Sequence, residues 1–273
     1  EYIQMAENLV AIPSIAGEKT ATERFAGAKA TLTFEGLMRD GKALQMGTSH
    51  LLSHSFPEAF EVSYQDENGK EVVPWCSSWG VTTRLIGALI MAHGDENGLV
   101  LPPRVAPVQV VIIPIFKTET ERAAVTSLVE KIKSDLESSN IRVEVDNDEN
   151  KRPGAKYFHW EQKGVPLRLE VGPRDAAKGG AMMALRLEIE GYDRKTFIES
   201  ENILNSVSKA LDDFHDHLLK RAREFLKANT HKAANSVTFE ELSSEVNNKL
   251  GLHQVGWCGK RECEERLKEA KAS

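Results

Sequence analysis

The spacing of apolar positions changes character along the chain. Between residues 30 and 50 apolar and polar side chains alternate, as in Thr31, Leu32, Thr33 and Phe34. That alternation predicts strands over Ala30 to Leu37 and Ala43 to His50, with a turn at Asp40-Gly41. Phe60 to Gln65 and Glu71 to Ser77 read as a further pair of strands joined at Asp66-Glu-Asn-Gly69. Together these predict an antiparallel sheet. Ahead of it, residues 1–10 predict a helix that stops near Pro13, Ala16 to Thr20 a turn, and Thr20 to Glu23 a short helical piece. Behind it, Leu85, Ile86, Ala88, Leu89, Ile90, Met91 and Ala92 leave no polar face, which predicts a buried helix. Thr82 or Thr83 can cap its start, and Gly94 ends it after His93.

The period changes after Ala106-Pro107. Val108 to Ile115 is nearly continuous apolar, the pattern of a strand covered on both faces in a parallel sheet. Helices are predicted at Glu119–Ser138 and Ala155–Lys163, and strands at Arg142–Val145, Pro166–Val171 and Met182–Ile189. A polar loop spans Asp146 to Gly154, and Gly172-Pro173-Arg174-Asp175 reads as a turn. Strands alternating with helices predict a separate α/β domain. From Thr196 to Asn229 the chain reads as a charged helix, and from Phe239 to Leu250 as another. The expected division is 1–106, 107–195 and 196–273, of mixed α/β and α+β class.

Composition narrows the class. Across 273 residues the net charge is -6, which argues against a broadly basic wrapper of nucleic acid but not against local RNA contacts. No apolar run approaches the roughly 18 residues that a membrane helix needs, and no signal-peptide pattern is seen. An odd cysteine count of 3 fits a reducing compartment, such as the cytoplasm, better than a disulfide scaffold. The first residues read as the middle of a helix, so the chain is expected to be a fragment.

Arg84 is the residue that periodicity does not explain. It is a cation in the first turn of a helix, where the backbone already presents partial positive charge, at a cost of roughly 0.3–1 kcal/mol. Two readings fit. The guanidinium reaches water or a carboxylate, or an anion such as phosphate sits at the helix start and is shared by amide N–H groups, Arg84 and the threonine hydroxyls.

Three runs in this order carry a resemblance: Lys42-Ala-Leu-Gln-Met-Gly-Thr-Ser-His50, Ser78-Trp-Gly-Val-Thr-Thr-Arg84, and His93-Gly-Asp-Glu-Asn-Gly-Leu-Val-Leu-Pro-Pro-Arg-Val-Ala106. They resemble prolyl-tRNA synthetases of the archaeal and eukaryotic type, which are class II aminoacyl-tRNA synthetases. Lys156 to Asp175 resembles the anticodon-binding domain of that family. The resemblance implies the C-terminal part of an antiparallel-sheet catalytic domain bearing motif 3, then an α/β anticodon-binding domain, then a truncated, zinc-binding-like helical domain. It implies ATP contacts for Gln45, Thr48, Thr82 and Arg84, and a proline pocket from His50, Ser78, Trp79 and Gly80. Glu35 is a further candidate for the amine or the ATP side. Glu161, Arg168, Arg174 and Asp175 match the anticodon readers. The implied reaction activates L-proline with ATP and Mg²⁺ and transfers it to tRNA(Pro). A homodimer is implied for the full-length protein, and no membrane partner. Motifs 1 and 2 are absent from the sequence, so this chain alone is expected to adenylate proline poorly.

Cys258-Gly-Lys-Arg-Glu-Cys263 has the spacing of half a zinc site, a metal implied for the full-length family member. His253 is near but poorly spaced, so stable zinc is not expected here. Cys76 reads as a small strand residue in the core. The reading from a different class is a non-catalytic tRNA- or RNA-binding regulatory module. Such a module would have no use for Gln45, Thr48, His50, Thr82 and Arg84. An unrelated hydrolase is set aside, because no Gly-x-Ser-x-Gly elbow is present.

Overall fold

In the computed structural model, residues 1–233 and 237–269 are described. In chain order the elements are α1 (Tyr2–Val10), β1 (Ile15–Glu18), β2 (Ala30–Leu37), β3 (Ala43–Ser53), α2 (Ser55–Ala59), β4 (Tyr64–Gln65), β5 (Glu71–Val72), β6 (Cys76–Val81) and α3 (Arg84–His93). Then follow β7 (Val110–Pro114), α4 (Glu119–Ser138), β8 (Val143–Val145), α5 (Pro153–Gln162), β9 (Leu167–Val171), α6 (Pro173–Lys178), β10 (Gly180–Leu185) and β11 (Thr196–Glu199). The last are α7 (Ile203–Ala228), β12 (Thr230–Lys232), α8 (Phe239–Asn248), β13 (Leu252–Gln254) and α9 (Arg261–Glu269). The chain forms two compact units, one of residues 1–7, 12–92 and 222–273, the other of 8–11 and 93–221.

The first unit is built on a four-stranded antiparallel sheet in the order β1-β2-β3-β6. One face of the sheet carries Phe34 and the buried Met46, against Tyr2 of α1 and Ile12. Between Phe34 and Glu35 the pairing of β2 with β3 slips by one residue, so that Phe34 faces Gly47 and Glu35 faces Gln45. Such a bulge resets the alternation of side chains. Gly47 is dictated by packing: a Cβ there would come within 2.4 Å of the Phe34 ring.

The second unit holds a mixed five-stranded sheet in the order β11-β10-β9-β7-β8, parallel across β8, β7 and β9. Val110 and Ile112 turn one way, into a core with Val125, Val129, Ile132 and Leu136 of α4 and Ile203 and Val207 of α7. Val111 and Ile113 turn the other way, onto Tyr157 and Trp160 of α5. Both faces are therefore covered, which is why β7 reads as an unbroken apolar run. Thr118 caps α4 by accepting from the Glu121 N–H at 3.2 Å, while the Glu121 carboxylate accepts from the Thr118 N–H at 3.3 Å.

Several expectations are corrected. Ala16 to Thr20 is not simply a turn, because Ile15–Glu18 pairs as an edge strand with β2. Thr20 to Glu23 is a turn rather than a helical piece, since both threonine hydroxyls donate to Glu264 instead of capping a helix. Phe60 to Gln65 is not a full strand. α2 occupies the preceding residues, and only Tyr64 and Gln65 pair. The expected strand at Met182–Ile189 ends at Leu185, where Arg186 turns to Asp95. Gly172 to Asp175 opens α6, because the Asp175 carboxylate accepts from the Gly172 N–H at 2.9 Å. Residues 196–199 form β11 on the edge of the α/β sheet, so the sheet continues past the expected boundary at 195. Cys76 is half-buried at the start of β6.

The helix at 84–93 is present but not buried all round. Ala88, Leu89 and His93 are buried, whereas Ile86 is 62% exposed and Ile90 and Met91 are exposed as well. An apolar periodicity reports what a helix can bury, not what covers it.

Candidate functional site

The bulge arranges the first candidate site. Cross-strand pairs link Thr31 to His50, Thr33 to Thr48 and Glu35 to Gln45, and on the other side of β3 link His50 to Ser78 and Thr48 to Gly80. Directly paired residues share a face, and the slip brings Gln45 onto the face of Thr48 and His50. One face therefore carries a half-open polar row of Thr33, Glu35, Gln45, Thr48 and His50, with Ser78 and Gly80 beside it.

His50 is fixed from both ring nitrogens. Nδ1 lies 2.9 Å from the Thr31 hydroxyl, and Nε2 lies 3.0 Å from the Thr48 hydroxyl. The Phe25 ring packs on the imidazole with centroids 4.8 Å apart. Thr33 donates to the Glu35 carboxylate at 3.2 Å. Two hydroxyls and one aromatic ring hold the imidazole in a single orientation, which suits recognition of a small polar ligand.

β6 leads directly into α3. The Thr82 hydroxyl accepts from the Arg84 N–H at 3.3 Å, and the guanidinium donates through one Nη to the Gln45 carbonyl at 3.2 Å. The side chain is exposed and makes no ion pair among the described residues. A carboxylate partner is therefore set aside among the described residues, while exposure to water and a shared anion both fit the geometry. The guanidinium instead lies over the end of β3 that carries Gln45, with donors to spare for an anion.

Trp79 departs from the expected set. It pairs with Ser49, one register position away from the Ser78–His50 and Gly80–Thr48 pairs, so its ring lies on the opposite face of the sheet. It is 68% exposed, and its Nε1 donates to Ser77 at 3.3 Å. Strand alternation thus separates Trp79 from Ser78 and Gly80.

The second candidate site lies in the other unit. Tyr157, Trp160 and Glu161 of α5, Arg168 of β9, Arg186 and Lys195 line a cavity of about 1380 Å³. Buried opposite charges position its two expected readers. The Arg186 guanidinium grips the Asp95 carboxylate at 2.6 and 2.9 Å, and its Nε donates to the Glu161 carbonyl at 2.9 Å. That hydrogen bond from Arg186 holds the Asp95 carboxyl below its usual range, against burial. Glu170, which is buried, accepts from Arg168 Nε at 3.0 Å and from the Tyr157 hydroxyl at 2.9 Å. Burial alone would raise the Glu170 carboxyl, but donors from Lys195, Tyr157 and Arg168 outweigh it and keep the group below its usual range. Burial and the Glu170 charge together push the Tyr157 phenol up.

Arg174 and Asp175 are not in this cavity. They sit on α6, and the Asp175 carboxylate is engaged at the helix start. Four expected readers thus divide into two that share a cavity and two that do not. Arg186, Asp95 and Glu170 were missed by sequence reasoning. An isolated Arg or Glu next to a strand carries no sign that it is buried.

At the end of the chain Cys258 and Cys263 are free thiols in contact with each other. The Lys260 backbone N–H and the Cys263 thiol lower Cys258, while its hydrogen bond to Cys258 raises Cys263. No group of three or more potential metal ligands occurs among the described residues, so this pair does not make up a four-ligand zinc set.

Residues 109–188 match a family model described as an anticodon binding domain. A proline–tRNA ligase of Acetoanaerobium sticklandii is 46% identical over 271 residues, covering 98% of this chain and 54% of that protein. One from Amoebophilus asiaticus is 43% identical, covering 97% and 53%. A crystal structure of a prolyl-tRNA synthetase from Cryptosporidium parvum, complexed with L-proline and AMP, superposes with a TM-score of 0.87 at 38% identity. It covers 99% of this chain and 56% of that one.

The chain belongs to the prolyl-tRNA synthetase family. It spans about half the length of the curated relatives it matches. Both candidate sites lie within the stretch shared with the family, and Glu161 and Arg168 lie within the matched anticodon-binding segment. No helix among the described residues is long and apolar enough to cross a membrane.

Proposed function

We propose that this chain contributes to a proline–tRNA ligase, which joins L-proline to tRNA(Pro) at the expense of ATP. The polar row of the first unit takes the activated amino acid, and the cavity of the second takes the anticodon. The observation that carries the reading is the bulge in β3. It aligns Gln45, Thr48 and His50 on one face, and Arg84 lies over the Gln45 end with no carboxylate partner among the described residues.

On this reading Thr82 and Arg84 meet the phosphates of ATP at the start of α3, where backbone N–H groups and a guanidinium act together on one anion. Gln45 and Thr48 line the nucleotide side. His50, oriented by Thr31 and Thr48, lies with Ser78 and Gly80 on the proline side. Trp79 contributes through its backbone position in β6 rather than through its ring. The reaction needs no protein nucleophile. The proline carboxylate attacks the α-phosphate in line, pyrophosphate leaves, and cationic side chains stabilise the developing charge; Mg²⁺ bound with ATP would supply further positive charge at the phosphates. A small pocket of this kind separates proline from alanine weakly, since each methylene is worth only ~1–3 kcal/mol.

In the second unit, Arg168 presents its free Nη donors to a guanine edge and Glu161 accepts from the guanine N–H groups. Proline anticodons share two guanines, which suits one donor and one acceptor side chain in a single cavity. Arg174 and Asp175 on α6 extend the footprint only where a bound loop reaches that helix. The regulatory-module reading is disfavoured by the intact polar row.

The test is calorimetric binding of a non-hydrolysable ATP analogue. Arg84→Ala removes a charge-assisted contact and is expected to weaken binding by about 10- to 100-fold, given 1.5–3 kcal/mol for such bonds. Equal affinity of the variant and the parent chain would remove Arg84 from the nucleotide site.

A further inference from the structure

Lys195 was not singled out by the sequence, and the reading above does not use it. It precedes β11 and lines the same cavity as Glu161 and Arg168. Its Nζ donates to Glu170 at 2.6 Å, on the oxygen that also accepts from Tyr157. Arg168 donates to the other oxygen at 3.0 Å. Both cations lie over the Tyr157 ring, Arg168 at 4.3 Å and Lys195 at 5.1 Å from its centroid. One buried carboxylate and one aromatic face therefore hold two cations side by side.

The local charge does not balance. Glu170 carries one negative charge, and Arg168 and Lys195 carry two positive ones. The same cavity is also lined by Glu161, Glu188, Glu190, Asp193 and Arg194, and by Asp95, which Arg186 engages. The Lys195 side chain is 40% exposed, whereas that of Glu170 is 7% exposed. A lysine needed only to neutralise Glu170 would be redundant, because Arg168 already does so. The ammonium instead stands beside the guanidinium on one carboxylate, with donors left for a ligand.

We propose that Lys195 contacts a backbone phosphate of the bound anticodon loop, next to the base that Arg168 reads. This rests on the anticodon reading above. A planar guanidinium suits the two acceptors of a guanine edge, whereas a compact ammonium is a point charge suited to phosphate. Glu170 is the positioning residue for both: it sets the two cations one nucleotide feature apart and leaves their remaining donors toward the ligand.

The experiment measures binding of tRNA(Pro) to the whole chain as a function of salt, for the parent chain, Lys195→Met and Lys195→Arg. Each measurement is repeated with a tRNA whose anticodon guanines are changed to adenines. Losing one phosphate contact to single-stranded RNA should lower the salt slope by about 0.7 and the affinity at 0.1 M salt by about fivefold. The loss for Lys195→Met should be equal for both tRNAs, and Lys195→Arg should restore both quantities. Arg168 and Tyr157 still satisfy Glu170 in these variants, and unchanged thermal unfolding checks that the fold is kept. An unchanged slope and affinity in Lys195→Met would overturn the proposal. A loss confined to the unaltered anticodon would also overturn it, since that pattern belongs to base reading. Failure of the underlying anticodon reading looks different: the parent chain itself would bind both tRNAs equally, whatever Lys195 does.

Discussion

His50 and Glu170 are organised alike, each a polar strand side chain whose freedom is removed by three neighbours drawn from strand, helix and loop. For His50 the neighbours are Thr31, Thr48 and Phe25, and for Glu170 they are Arg168, Tyr157 and Lys195. The sequence makes His50 a candidate through the run around it, but it gives no hint of Glu170. A glutamate between two leucine-like strand positions reads as solvent-facing until three donors are found around it. Its charge has a measurable consequence. The folded-state pKa of Glu170 lies below the ordinary 4.5, so its contribution to stability is present above about that pH and is lost as pH falls through the folded value. Asp95 acts in the same direction, from an ordinary 3.8. Calorimetric unfolding is therefore expected to show the α/β unit losing stability below about pH 4.5, with a shallower dependence in Glu170→Gln. An identical acid profile for the two proteins would show that Glu170 is not held below its ordinary value.

At the level of elements, alternation and apolar runs were legible wherever local pattern and tertiary cover agree. Ala30–Leu37 and Glu119–Ser138 fall where periodicity and capping put them. What local pattern could not reveal was the bulge between β2 and β3, because a register slip leaves composition unchanged. That slip puts Gln45 on the face of Thr48, while ordinary alternation along β6 puts Trp79 on the other. Local pattern also missed β1 and β11, short edge strands held by pairing rather than by their own propensity. The exposed side of α3 was illegible for the reason given above. The bulge depends on Gly47 lying flat against Phe34. Gly47→Ala places a methyl group within 2.4 Å of that ring and 2.9 Å of Val81. It should lower the stability of the first unit by roughly 1–3 kcal/mol, the usual cost of overpacking, in denaturant unfolding. A change below about 0.5 kcal/mol, the size of an ordinary surface substitution, would mean that the strand yields without cost.

For the whole molecule, the family likeness spans both units, the one that bears the polar row and the one that bears the charged cavity. The sequence runs around His50, Arg84 and Asp175 carry that likeness in full. Which of the four expected readers share a cavity was decided only by the fold, which starts a helix at Pro173 and turns Asp175 back onto Gly172. The account therefore predicts that guanine recognition depends on Glu161 and Arg168 more than on Arg174 and Asp175. The most direct measurement is equilibrium binding of the chain to tRNA bearing a proline anticodon and to the same tRNA with both shared guanines replaced by adenine. At about 1–3 kcal/mol for each misread base, the altered tRNA should bind at least 10-fold more weakly, and Arg168→Met should abolish most of that difference. Equal affinity for the two tRNAs would contradict the account.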